Sequence, residues 1–259
     1  MKRAIFLFLL TSLSSMEIGN PAQPYLQKKG VILQSEGDWS FRLAYLDDYV
    51  YRMRFREEFE KLASYSATPV FVKLATNAGL VTLNLFNRLD VYGILGTAQL
   101  QVGQVIYTKR ELAWGVGGKI LLAKIAKISF GIDMKFFTTS QQPLFFAAGG
   151  NAYNIVNEYR MNYWEIQGAF GTSYRTKFIS PYLHLTYLIS KLDPQPMIAL
   201  VRLPSDPVSV DAETKPVIGH RRWGMAVGAT LLGSPKATLT VESRFINQNA
   251  IDICGELRF

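Results

Sequence analysis

Cysteine is almost absent. Cys254 is the only one in 259 residues, so no disulfide can form within the chain and hydrogen bonding and packing must hold the fold. There are only two histidines, His184 and His220, and no His/Cys set has metal-ligand spacing, so no metal is expected. The glycine-rich run Gly115-Val116-Gly117-Gly118-Lys119 lacks the spacing and the Ser/Thr of a phosphate-binding loop, so no nucleotide cofactor is expected. Charged residues are only 19% of the chain. Although the net charge is +8, the Lys and Arg are spread at alternate positions rather than clustered, which argues against a nucleic-acid partner. Long apolar runs are missing too. From Met16 onward nothing approaches the ~18 residues of a membrane helix. Any membrane crossing must then use strands, because only helices and closed barrels satisfy their backbone groups in lipid.

The one continuous apolar stretch lies at the N-terminus. Lys2-Arg3 followed by apolar residues 4–10 and the small residues 11–15 reads as a secretory signal, expected at residues 1–15. Residues 16–38 are expected to form a periplasmic N-terminal segment, and residues 39–259 the folded domain. Removing the signal takes away two basic charges, from +8 to +6.

Aromatic and aliphatic residues are plentiful, 13% and much of a 49% hydrophobic total, and their spacing is the main signal. Odd positions read Trp39, Phe41, Leu43, Tyr45, Tyr49, Tyr51, Met53 and Phe55, while even positions include Ser40, Arg42, Asp48, Arg52 and Arg54. Such alternation places the aromatics on one face of a strand and the charges on the other. Similar segments recur at 78–87, 89–102, 110–122, 127–139, 161–175, 180–191, 223–230, 239–245 and 251–259, giving about ten strands. A phase change near residues 93–96 predicts a bulge. Links are short at Asn87-Arg88, 123–126, 176–179 and 233–235. They are longer at 57–77, 103–109, 140–160 and 192–220, and short again at 246–249. Glu57, Glu58 and Glu60 read as a solvated loop or short helix.

Short turns at one end and long loops at the other are the outer-membrane arrangement, with the turns in the periplasm. The expected fold is an all-β, antiparallel transmembrane barrel of about ten strands, in the outer membrane of a Gram-negative bacterium. Residues 196–203 offer an added hairpin and an alternative of twelve. A soluble sandwich would alternate as well, but strand length, aromatic load and the terminal Phe259 favour the barrel.

In order along the chain, several motifs resemble the chlamydial major outer membrane protein family of porins. They are Gly19-Asn20-Pro21-Ala22-Gln23-Pro24, the strand from Phe41 to Tyr51, Thr76-Asn77-Ala78, the hairpin from Leu83 to Val91, Ser173-Tyr174-Arg175 with Ser180-Pro181-Tyr182, and at the end Gly224 to Thr230, Thr240 to Phe245 and Leu257-Arg258-Phe259. The resemblance implies a passive diffusion channel for small hydrophilic solutes. This chain departs from the best-known members in being shorter, basic and poor in cysteine, so disulfide cross-linking of the envelope does not carry over.

An alternative is a non-conducting structural or adhesive barrel acting through its loops. Catalysis at His184 would need a neighbouring Ser or Asp and is not expected. The residues expected to line the lumen are Arg42, Asp48, Arg52, Arg54, Asp133, Glu165, Arg175, His184, Arg222, Glu242, Arg244 and Arg258. Rings of fixed charge set ion preference, and the arginine excess predicts mild anion selectivity unless the charges pair and block the lumen. Expected partners are outer-membrane lipid and small solutes or anions, with homo-oligomerisation as a trimer left open.

Overall fold

A computed structural model describes residues 19–26, 39–57, 70–103, 106–148, 151–154, 159–195, 197–202, 207–212, 216–232 and 236–259. The expected signal at residues 1–15 and the acidic segment after Glu57 lie outside them. In chain order the elements begin with a helical turn, α1 (Gln23–Leu26), and strands β1 (Trp39–Glu57), β2 (Val70–Leu85), β3 (Leu89–Val102) and β4 (Ile106–Thr108). They continue with β5 (Glu111–Ile125), β6 (Ile128–Gln141), β7 (Pro143–Ala148), β8 (Asn151–Asn154), β9 (Met161–Tyr174) and β10 (Ile179–Pro194). The last are β11 (Met197–Arg202), β12 (Pro207–Ala212), β13 (Val217–Gly219), β14 (Trp223–Leu231), β15 (Ala237–Phe245) and β16 (Gln248–Arg258).

Ten strands pair in a ring, β1-β2-β3-β5-β6-β9-β10-β14-β15-β16, and antiparallel pairing of β16 with β1 closes it. Closure leaves no unpaired edge in the wall, which a strand structure needs in lipid. The outer face is apolar, with Leu83, Val91, Val116, Ile132, Leu185, Val241 and Ile253 all exposed. Exposed aromatics bracket this belt: Trp39, Phe86, Tyr174 and Phe178 at the turn end, Tyr51, Trp114 and Trp223 toward the loop end. Lipid is the solvent that suits such a surface.

Turns at one end are tight. Phe86 and Asn87 have φ of 53° and 51°, and the Arg88 amide donates to the Leu85 carbonyl at 3.0 Å. Two consecutive left-handed residues match the twist of the flanking strands. At the loop end, β11 (Met197–Arg202) does pair antiparallel with β12 (Pro207–Ala212), but the two pair only with each other. The wall therefore has ten strands, not twelve.

The β15–β16 connection is short, so this side of the wall stops low. Above it β13 pairs antiparallel with both β1 and β10, through Phe55–Gly219 and Lys191–Ile218. One strand thus replaces three in the upper wall.

Two phase assignments differ from the sequence-based expectation. No bulge occurs at residues 93–96: β3 stays in unbroken register with both β2 and β5. The apparent phase change arises because Tyr92 and Ile94 point inward, as Asp90 does. A bulge occurs instead in β1, where the register against β2 jumps from Val50–Leu74 to Met53–Val72. One extra residue reverses the inside–outside parity of everything beyond it.

Candidate functional site

The interior of the barrel is filled in three layers. At the turn end, residues 19–26 enter the mouth as a strap. Asn20 donates from Nδ2 to the Ser180 carbonyl at 3.0 Å and to Thr230 Oγ1 at 3.1 Å. Gln23 donates to Glu256 at 2.8 Å, and its carbonyl accepts from Arg42 at 2.9 Å. Asn84 donates to the Pro24 carbonyl at 3.0 Å. The Gly19 amide reaches Glu242 at 3.1 Å. Gly131 makes room for this strap, since a Cβ there would stand 3.0 Å from Pro21.

Above the strap runs a belt of ion pairs. Arg42 pairs with Asp90 and, at 3.3 Å, with Glu256. Lys119 meets Asp133 at 3.4 Å, and the Tyr92 hydroxyl donates to the same carboxylate at 2.7 Å. Lys135 faces Glu165 at 3.8 Å, which also accepts from Tyr163 at 2.6 Å. Arg244 pairs with Asp48 and lies 3.8 Å from Glu242, which accepts from Tyr182 at 2.9 Å. All these groups are buried. Charges withdrawn from water in this way require partners, and each here has at least one.

The third layer is apolar. Met53, Phe55, Val72, Leu74, Leu100, Phe137, Met161, Leu188 and Leu192 are almost fully buried in one cluster toward the loop end. Between strap and belt a cavity of about 50 Å³ remains, bordered by Gly19, Arg42, Asp90 and Lys119. At about 10–15 Å³ per water, it holds a few molecules and no continuous column.

Of the residues expected to face the lumen, Arg42, Asp48, Asp133, Glu165, His184, Glu242, Arg244 and Arg258 are buried inside it. The structure does not bring the others there. Arg52 and Arg54 lie beyond the β1 bulge and turn outward, stacking over Phe71 with guanidinium–ring distances of 4.5 and 5.7 Å. Arg222 is exposed at the loop end and donates to the Tyr187 hydroxyl at 3.1 Å. Arg175 is half-buried in the turn-end rim, beside Lys124, Lys127 and Lys177. His184 and His220 lie apart, one in the lumen and the other exposed.

Asp90, Lys119 and Lys135 also face the lumen, as do Asp252 and Glu256, which the alternation along the last strand sets opposite the arginines. Strict parity along β3, β5 and β6 finds the first three. With them, the buried charges among the described residues are five cations (Arg42, Lys119, Lys135, Arg244, Arg258) against seven carboxylates (Asp48, Asp90, Asp133, Glu165, Glu242, Asp252, Glu256). The arginine excess expected in the lumen is not there.

The chain is similar, end to end, to porins of Chlamydia. It is 21% identical to the major outer membrane porin, serovar F, of Chlamydia trachomatis, with 96% of each chain covered. It is 22% identical to a major outer membrane porin of Chlamydia pneumoniae, covering 99% of this chain and 97% of that one. No family model matches. Among solved structures, the β domain of the Bordetella autotransporter BrkA covers 86% of this chain at 9% identity, with 99% of its own length matched and a TM-score of 0.42. The outer membrane protease OmpT of Escherichia coli covers 85% at 12% identity, with 96% of its own length matched and a TM-score of 0.39. With its closed wall and apolar belt, the chain is an outer-membrane β-barrel.

Proposed function

We propose that this barrel is a narrow porin, passing small hydrophilic solutes or ions, and that the conformation described above is its closed one. The full-length similarity to outer-membrane porins carries the proposal. A ten-stranded wall supports only a tight path, since about eight strands are filled by side chains and ~16 leave a water channel. Passage then requires the strap at residues 19–26 to leave and the ion-paired belt to rearrange.

Anion selectivity was expected from seven arginines, of which Arg42, Arg244 and Arg258 face the lumen and Arg52, Arg54, Arg175 and Arg222 do not. Five buried cations against seven carboxylates favour a weak preference for cations instead. The test is single-channel recording in a planar bilayer under a salt gradient. Small, infrequent steps with a reversal potential at zero or leaning toward cations are expected. Replacing both Arg52 and Arg222 by Ser is expected to leave that potential unchanged, because neither faces the lumen. A shift on their removal would return them to the conduction path.

A second reading, a non-conducting structural or adhesive barrel, is favoured by the apolar layer that fills the loop-end half of the lumen. A correctly folded barrel that stays silent at all voltages would establish it and end the porin proposal.

A further inference from the structure

The outer wall near the loop end carries a groove of about 230 Å³ on the lipid-facing side of β1, β2 and β3. Register builds it from two rows. In the lower row Tyr49, Ala75 and Gln99 are cross-strand neighbours, and the small Ala75 leaves a low floor. In the upper row Lys73 lies opposite Gln101, which in turn pairs with Tyr107. Arg110, exposed just after β4, borders the same space. The β1 bulge puts a further cation, Arg52, beside this row, with its guanidinium stacked over Phe71 and outside the groove lining. It lies between the Val50–Leu74 and Met53–Val72 pairings, level with Lys73, and turns Arg52 outward.

Tyr107 is held flat by stacking on Phe145, with ring centroids 5.0 Å apart. Gln99 and Gln101 are fixed by donating from Nε2 to the Thr108 and Gly103 carbonyls, both at 3.0 Å. Both glutamines line the groove. The nearest outward carboxylate on β1, Asp47, sits one alternate position below Tyr49 and accepts from Asn77 at 2.8 Å. Cations, flat aromatic rings and fixed amides therefore meet just above the apolar belt, where the headgroups of the outer leaflet lie.

We propose that this groove binds the phosphorylated amino-sugar headgroup of an outer-leaflet glycolipid. Lys73 and Arg110 take the phosphate as charge-assisted donors. Tyr49 and Tyr107 offer ring faces to the sugar, and the glutamine amides complete its hydrogen bonds. A basic patch alone does not make this site. Lys124, Lys127, Arg175 and Lys177 are as densely charged at the turn end, where Lys177 lies over the Phe178 ring at 5.2 Å, but no glutamine amide borders them.

The inference rests on the outer-membrane assignment but not on conduction. Its test uses the whole refolded barrel in detergent and is independent of channel recording. Binding of a bisphosphorylated lipid A is measured by native mass spectrometry and by the rise in unfolding temperature, against its dephosphorylated form. The phosphorylated lipid is expected to bind, and K73E/R110E to weaken it about tenfold or more, as loss of two charged contacts implies. Circular dichroism of the variant is expected to match the parent, since both side chains lie outside the wall. K124E/K127E at the turn end is expected to bind as the parent does. Free inorganic phosphate at millimolar concentration is expected not to compete. Equal binding of the dephosphorylated lipid, an unaffected K73E/R110E protein, or full competition by free phosphate would each overturn the proposal.

Discussion

At the scale of single residues, close packing inside the wall makes some substitutions costly in ways that composition does not suggest. A Cβ on Gly96 would stand 2.1 Å from the Asn77 carbonyl oxygen and 2.5 Å from the Ala78 Cα, both main-chain atoms of the paired strand. Neither can swing aside, so Gly96→Ala is expected to destabilise the barrel by about 1–3 kcal/mol, the usual range for overpacking. Urea unfolding in detergent, followed by tryptophan fluorescence, checks it. Arg244 raises a different matter. Removing it leaves Asp48 buried without its cation, and Arg244→Ala is expected to cost about 3–5 kcal/mol. The paired change of Arg244 to Met and Asp48 to Leu is expected to recover part of that in the same assay, since the Asp48 charge leaves together with its cation while buried Glu242 still loses its Arg244 contact. Parity was the readable part of these residues. Arg42 and Asp48 were correctly turned inward by counting in twos, whereas Arg52 and Arg54 were misplaced because one extra residue in β1 leaves no mark in the hydrophobic pattern.

At the scale of elements, the strap at residues 19–26 is the part most separable from the wall. Its contacts are hydrogen bonds given or accepted by side chains on β1, β2, β14, β15 and β16, together with the β10 carbonyl at Ser180, and it contributes nothing to strand pairing. A chain lacking residues 19–26 is expected to fold and to open more often in the planar bilayer. If the deleted chain shows no added openings, the apolar layer above is the true seal. Hydrophobic alternation gave no hint of the strap, because a short segment bonded by its main chain to a barrel's inner surface needs no periodicity. The same pattern did find the strands, and it underestimated β2, which begins at Val70 rather than near residue 78. There Val72 and Leu74 face inward and Phe71 outward, so both faces are apolar and the alternation fades.

At the scale of the whole molecule, the ring of ten and its membrane-facing surface were legible. They depend on the sum of many weak segments rather than on any one of them. What fills the lumen was less legible. Sequence separates inward from outward residues along each strand, but not which inward residues meet across the barrel. Arg42 with Asp90 and Arg244 with Asp48 are partners only once the ring is closed.

The single strand β13, standing above the low β14–β16 sector, is in the language of crystals an edge dislocation in a rolled lattice. Three rows give way to one partway up the cylinder, a net loss of two, and with rows about 4.8 Å apart the upper circumference is shorter by roughly 10 Å on that side. A tube with such a defect tapers. Its two mouths differ in width without any loop folding inward, and current through it should rectify, flowing more easily from one face than from the other.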